Sequence, residues 1–124
     1  MRSASPKAPT LALLALLALL IPACDGERTP VEAGRIDYLR ACSSCHGPEG
    51  QGIGKLGNPL RDNEFIRTKS DEELVAFLKV GRAPGDPESK TGVLMPPKGM
   101  DPRLTDEDLT GIVQFIRTWD SGEP

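Results

Sequence analysis

The sequence predicts an all-α domain of about three main helices joined by long loops. Three segments repeat apolar residues at the spacing of an amphipathic helix, and the stretches between them are rich in glycine and proline, which favour turns. No alternating strand pattern surrounds the cysteine motif described below. A chain of 124 residues is long enough for one such domain.

The N-terminal segment is expected to direct export and then to be removed. Residues 1–9 carry two cations and no acid, and residues 11–21 are an unbroken run of Leu, Ala and Ile. This run is shorter than the roughly 20 apolar residues that a membrane-spanning helix needs. We therefore interpret residues 1–23 as a signal peptide.

The end of the signal peptide predicts a lipid anchor. The tetrapeptide Ile21-Pro22-Ala23-Cys24 resembles a bacterial lipobox, in which the cysteine becomes lipid-modified and forms the new N-terminus. Lipidation of Cys24 also removes the odd thiol among three cysteines. Residues 24–30 are then a polar tether. The alternative is ordinary cleavage before Cys24, so the expected location is the periplasmic side of the cytoplasmic membrane, either lipid-anchored or soluble in the periplasm.

The charge of the processed chain argues against nucleic acid as a partner. Loss of two of the 15 Lys and Arg leaves 13 against 18 Asp and Glu, a formal charge of −5. Nucleic-acid binding requires a basic face. An acidic surface suits a basic patch on a protein partner, and it suits solubility equally well.

The first predicted helix runs from about Val31 to Cys45 and ends in the motif Cys42-Ser43-Ser44-Cys45-His46, a C-x-x-C-H sequence typical of covalent haem attachment. Positions i, i+3 and i+4 share one helix face. Both thiols are therefore placed to bond one haem, while His46, the only histidine, binds the iron from the same side.

Three other interpretations of this motif are weaker. A thioredoxin-like C-x-x-C requires a βαβ context, and a structural zinc site requires four ligands, which this motif does not supply. A disulfide between the two cysteines leaves the histidine unexplained. We therefore expect one covalently attached haem c.

The middle helix is predicted from local signals at both ends. It begins with the capping box Ser70-x-x-Glu73 and ends at Gly81. Three apolar residues occupy one face: Leu74, Phe77 and Leu78. A long loop with five prolines, residues 81–104, follows.

The last helix is predicted to begin after Thr105, an N-cap followed by three acidic residues that suit the positive end of a helix. Its apolar stripe consists of Leu109, Ile112, Val113 and Ile116, with Phe115 and Trp119 alongside. The long loop before it is expected to be functional, because structureless loops of this length are rare in small domains.

Taken together, these features resemble the class I cytochrome c family over nearly all of residues 31–124. The resemblance implies the cytochrome c fold around one haem. It also places the distal iron ligand at Met95, before Pro96-Pro97, opposite His46 as proximal ligand. Met100 stays open as an alternative ligand, because spacing alone does not separate the two methionines.

The resemblance implies roles for further residues. Leu60 is expected to contact the haem, and the carbonyl of either Asn58 or Pro59 is expected to accept the Nδ1 proton of the haem-ligating histidine. Gly34 and Phe115 are expected where the first and last helices cross. Gly34 is alternatively a simple helix-start glycine.

The implied function is single-electron transfer between redox partner proteins, with no small-molecule substrate and no enzymatic activity of its own. Two alternatives stay open. One is a haem c subunit of an oxidoreductase complex, in which the same chemistry serves a catalytic partner. The other is a gas-binding or sensing haem protein, which requires that neither methionine binds the iron.

Overall fold

A computed structural model describes Met1 and residues 26–121 of the chain. These residues form five α-helices and a short 3-10 turn over Pro97–Met100, with no strand among them. The helices are α1 (Pro30–Ala41), α2 (Ser43–His46), α3 (Glu64–Thr68), α4 (Asp71–Val80) and α5 (Asp106–Ser121). The predicted all-α class is confirmed, with α1, α4 and α5 as the three main helices.

The predicted lipidation site Cys24 and, apart from Met1, the predicted signal peptide lie outside the described residues. No helix within residues 26–121 is long and apolar enough to cross a membrane. The first helix begins inside the segment predicted as a tether. Thr29 is its N-cap and forms a capping box with Glu32, and Pro30 occupies the first turn.

The single helix expected over residues 31–45 is divided at Cys42, between α1 and α2. The Ser43 hydroxyl donates to the carbonyl of Leu39 at 2.6 Å, a local side-chain bond of the kind that bends helices. Backbone bonds continue across the division, because the Cys42 N–H donates to Tyr38 and the His46 N–H donates to Cys42. The haem-attachment motif therefore begins at the division.

Helices α1 and α5 cross at two glycines. A Cβ on Gly34 would collide with the carbonyl group of Gly111, and a Cβ on Gly111 would lie 2.8 Å from the carbonyl oxygen of Pro30. The close crossing expected at Gly34 is confirmed. The sequence analysis did not single out Gly111.

The core lies between this crossing and helix α4. Tyr38 is fully buried, with its ring 5.5 Å from that of Phe115 and 5.3 Å from that of Trp119. Its hydroxyl donates to the carbonyl of Gly47 at 2.6 Å, which links the core to the loop that follows His46. The other buried apolar residues are Ile66, Leu74, Leu104, Leu109, Ile112, Val113 and Ile116.

Local signals set the ends of α4 as predicted. The Ser70–Glu73 capping box is present, and Gly81 ends the helix at φ +71°. The loop that follows is not irregular throughout. The N–H of Arg82 donates to the Met95 carbonyl at 2.8 Å, and the N–H of Met95 donates to the Arg82 carbonyl at 2.9 Å. This pair of bonds holds Met95 beside the end of α4.

Candidate functional site

The predicted site residues lie around one apolar cleft with two adjoining parts. Cys42, His46 and Met95 line both parts, and Cys45 lines one of them. Helices α1, α2 and α4 and the loop of residues 81–104 contribute its walls. The fold thus brings together residues far apart in the sequence around a common space. Leu60 is half-buried and lines the part of the cleft that Cys45 does not line.

The orientation of His46 is set by one backbone carbonyl. Its Nδ1 lies 2.8 Å from the carbonyl oxygen of Asn58. Because a carbonyl only accepts hydrogen bonds, Nδ1 carries the proton and Nε2 is left free to bind a metal. Of the two carbonyls expected from the resemblance, the contact is therefore made by Asn58. The Pro59 carbonyl instead accepts from the Asn63 amide at 2.7 Å.

Gly57 lets the Asn58 carbonyl reach the histidine. A Cβ on Gly57 would lie 2.5 Å from the carbonyl oxygen of Cys45 and 3.1 Å from the His46 Nδ1. Only a residue without a side chain fits there. In the sequence, Gly57 is one of several loop glycines, and only its position directly before Asn58 indicates its role.

The two motif cysteines are half-buried and are not joined by a disulfide. Burial, together with the nearby charges of Asp37 and Cys45, raises the pKa of the Cys42 thiol to about 12. A thioredoxin-like cysteine has the opposite property, a lowered pKa. Within residues 26–121, no three His, Cys, Asp or Glu side chains are arranged to hold a metal ion, so a zinc site is not supported.

The two methionines differ in placement. Met95 is half-buried and lines both parts of the cleft, whereas Met100 is 79% exposed and lines one part. Met100 follows Lys98 and Gly99 in a run of three positive φ angles. A Cβ on Gly99 would collide with the carbonyl of Ala41. Met95 is the better-placed candidate ligand, and its role stays a prediction.

Arg82 is a cleft residue that the sequence analysis missed. It lines both parts of the cleft, and its side chain is only 16% exposed. Its guanidinium carbon lies 5.0 Å from the ring centre of Phe65 and 4.9 Å from that of Phe77. A cation directly after the terminal glycine of α4 was the only signal in the sequence.

The charge at the cleft is opposite in sign to the net charge of the chain. Its charged lining residues are Arg82, Lys90 and Lys98, and no Asp or Glu lines either part. Exposed apolar side chains also line it: Leu56, Val93, Leu94 and Met100. The surface around the cleft is therefore apolar and basic.

The residues present fit a covalently attached haem. Two thiols and an imidazole with an oriented ring line the same apolar space, and Gly57 lets the backbone approach the histidine. The cleft also offers a soft thioether sulfur, from Met95, which suits iron in a haem.

Comparison with known proteins gives one family and several relatives. The family model described as Cytochrome c matches residues 31–120. The chain is 29% identical over 109 residues to the cytochrome c subunit of an alcohol dehydrogenase (quinone) from Gluconobacter oxydans (strain 621H), covering 81% of this chain and 22% of that one. It is 29% identical over 93 residues to the corresponding subunit of Gluconacetobacter polyoxogenes, covering 73% of this chain and 19% of that one.

The chain thus spans about a fifth of the length of the curated relatives it matches. Among solved structures, it is similar to the KustC0563 c-type cytochrome, with a TM-score of 0.49 and 23% identity. That match covers 69% of this chain and 95% of the other.

Proposed function

The chain belongs to the cytochrome c family, and we propose that it is a monohaem carrier of single electrons in which His46 and Met95 are the axial iron ligands. Covalently bound haem c and electron transfer follow from the family itself. When bound, haem c supplies an iron that changes between the ferric and ferrous states. The observation that best supports the proposal is the Asn58 contact, which orients the imidazole of the C-x-x-C-H motif in the cleft.

The residues of the attachment motif have separate tasks. Cys42 and Cys45 provide the two thiols for covalent attachment. His46 presents Nε2, because Nδ1 is held by Asn58 at 2.8 Å. A fixed ring orientation keeps the histidine in place in both oxidation states, so little rearrangement accompanies electron transfer.

Met95 is suited to the sixth position. A thioether is neutral, never needs to lose a proton and raises the reduction potential relative to a second histidine. Its backbone is paired with Arg82 through two hydrogen bonds, and Pro96 and Pro97 follow it. These restraints hold the sulfur-bearing loop when the iron changes charge.

Electron exchange is proposed to take place at the exposed apolar and basic surface around the cleft. Interfaces between redox partners are usually small and transient. The exposed side chains of Leu56, Leu94 and Met100 supply apolar contact area. We propose no catalytic activity for this chain, because its proposed task is complete without a substrate.

A second function is favoured by the relatives. Two of them are cytochrome c subunits of an alcohol dehydrogenase (quinone). We therefore also propose that this chain serves as the haem c subunit of an oxidoreductase complex. Purification from native membranes distinguishes the two: a subunit elutes with a catalytic protein, and a free carrier elutes alone.

The test of the main proposal is production in cells with a cytochrome c maturation system, followed by a haem-stained denaturing gel. The wild type is expected to stain at its own mass, and the matched double variant Cys42→Ser/Cys45→Ser is expected not to stain. Carbon monoxide should bind the ferrous wild type poorly, because both axial positions are filled. An unstained wild type would contradict haem attachment, and ready carbon monoxide binding would favour the gas-binding alternative.

We also propose export to the periplasmic side of the cytoplasmic membrane, with Cys24 as the lipid anchor. The support is the sequence of residues 1–24 alone. Cys24→Ser should move the haem-stained protein from the membrane fraction to the soluble periplasm. If the wild-type protein is already soluble in the periplasm, the proposed lipid anchor is refuted and the proposed export is not.

A further inference from the structure

The side chain of Arg82 lies in the wall of the cleft. Its guanidinium carbon lies within 5.0 Å of the ring centres of Phe65 and Phe77, and the side chain is 16% exposed. Desolvation of a guanidinium is costly unless its donors are satisfied. The hydrogen-bond partners of each guanidinium nitrogen therefore indicate the function of Arg82.

Two of the three guanidinium nitrogens have partners in the loop that follows. Nη1 donates to the Glu88 carbonyl at 3.0 Å, and Nη2 donates to the Glu88 carboxylate at 3.3 Å. The third nitrogen, Nε, is buried and has no hydrogen-bond partner. A carboxylate oxygen of Asp86 lies 3.9 Å away, beyond hydrogen-bond distance.

The missing acceptor does not come from the residues around the cleft. No Asp or Glu lines either part of it. Buried donors without a partner are rare in folded proteins and require an explanation, for which a bound ligand is one candidate. Haem brings two carboxylate side chains, and a guanidinium binds carboxylates with strong, charge-assisted bonds.

We propose that Arg82 binds a carboxylate side chain of the haem through its Nε–H. This assignment rests on the proposed haem attachment and names the residue that neutralises one carboxylate in the apolar cleft. Because the backbone of Arg82 is also paired with Met95, the same residue joins the carboxylate to the loop that carries the proposed sixth ligand.

The direct test is nuclear magnetic resonance of the ferrous, ¹⁵N-labelled, haem-loaded wild type. The Arg82 Nε–H is expected to exchange slowly with solvent and to show a nuclear Overhauser effect to the methylene protons of one haem carboxylate side chain. Arg82→Lys identifies the signal by its loss. Arg61, which is exposed and lies over Trp119, is the reference for rapid exchange.

Reduction potentials give an independent test with matched variants. Arg82→Gln uncovers a negative charge near the iron, so we expect the ratio of reduced to oxidised protein at a fixed ambient potential to fall about tenfold, equal to about 59 mV for a one-electron couple. Arg61→Gln removes the same charge away from the cleft and should change the ratio far less. Glu88→Gln loosens the loop and leaves the Arg82 Nε–H in place. The ratio of reduced to oxidised protein should therefore not fall in this variant. If Arg82→Gln fails to load haem, the exchange and nuclear Overhauser measurements on the wild type decide the question.

The proposal is overturned if the Arg82 Nε–H exchanges as fast as that of Arg61 and shows no nuclear Overhauser effect to the haem carboxylate side chain. It is also overturned if Arg82→Gln and Glu88→Gln lower the ratio equally, because loop anchoring then explains the effect. In either case, haem staining of the wild type still supports the proposed function. An unstained wild type, by contrast, refutes the proposed function itself, and with it the role proposed for Arg82.

Discussion

At the scale of single residues, the two methionines of the long loop are held in different ways. Met95 has both its backbone N–H and its carbonyl paired with Arg82, at 2.9 and 2.8 Å. Met100 has a φ of +70° and a side chain open to solvent. A ligand that must stay bound in two oxidation states requires the firmer placement, which favours Met95.

Met95→Ala is expected to abolish the weak absorption band of a methionine sulfur bound to ferric iron and to lower the reduction potential, because a thioether ligand is lost. Met100→Ala, the matched control, should leave both near the wild-type values. Absorption spectroscopy and a redox titration of the haem-loaded proteins measure these effects. The opposite pattern would assign the ligand to Met100.

Asp101 provides a prediction about pH. Hydrogen bonds from Arg103, at 2.9 and 3.1 Å, together with the charges of Arg103 and Arg40, lower the pKa of Asp101 from 3.8 to about 2. A lowered carboxyl pKa stabilises the fold fully above the unfolded-state value and loses that effect as the pH falls through the folded-state value.

Asp101→Asn should therefore be less stable than the wild type at pH 6, and the difference should shrink between about pH 4 and pH 2. Denaturant unfolding followed by circular dichroism at each pH measures it. Glu107→Gln, on the exposed first turn of α5, is the control. A difference that persists unchanged at pH 2 would show that the Asp101 charge is not its source.

The chemistry of the site could be predicted from residue types, but its contacts could not. The C-x-x-C-H motif can be recognised from five consecutive residues. The choice between Asn58 and Pro59 depends on the path of the loop, which Gly57 allows by its lack of a side chain. In the sequence, Arg82 looks like an ordinary surface cation, because only the tertiary structure places it beside the rings of Phe65 and Phe77.

At the scale of elements, the crossing of α1 and α5 depends on backbone contact. The positions of Gly34 and Gly111 leave no room for a methyl group. Gly34→Ala gains about 1 kcal/mol of helix propensity. Overpacking against a backbone that cannot move aside costs typically 1–3 kcal/mol, and more where relaxation is blocked.

We therefore expect Gly34→Ala to have a net cost, with the melting temperature falling by roughly 4–8 °C for each kcal/mol in a domain of this size. Thermal unfolding followed by circular dichroism measures it. Gly85→Ala, where a Cβ would meet nothing within 4 Å, is the matched control and should stay close to the wild type. A Gly34→Ala variant as stable as the wild type would mean that the crossing is looser than described.

The ends of helices could be predicted where the signals are local. The capping box at Ser70, the terminal glycine of α4 and the N-cap Thr105 all stand where the sequence placed them. The division at Cys42 could not be predicted, because it accompanies a bond from Ser43 to Leu39 within the helix. The pairing of Arg82 with Met95 also could not be predicted from the sequence, since it joins two residues that lie 13 positions apart in the long loop.

At the scale of the whole molecule, charge is unevenly distributed. Residues 24–124 have a formal charge of −5, yet Lys90 and Lys98 line the cleft together with Arg82, whose charge is paired with Glu88. The acidic net charge suited a basic patch on a protein partner and suited solubility equally well. The cleft instead suits an acidic surface on a partner, because local potential steers an approaching molecule.

A small anionic redox complex should therefore oxidise the ferrous protein faster at low ionic strength, and the rate should fall as salt screens the cleft cations. A cationic complex of similar driving force is the control and should show a weaker or inverted salt dependence. Stopped-flow absorption measures both rates. An anionic complex that reacts faster as salt is added would show that net charge, not the cleft, governs approach.

The contact between Gly34 and Gly111 joins the first described helix to the last, so the fold depends on an association between distant parts of the chain. Until residues 106–121 have been synthesised, α1 lacks its packing partner and Tyr38 has no apolar ring beside it. A nascent or newly translocated chain therefore keeps residues 42–46 accessible to a modifying enzyme. Association of the terminal helices then packs Phe115 and Trp119 against Tyr38, four residues before the motif, so we expect attachment to precede compaction.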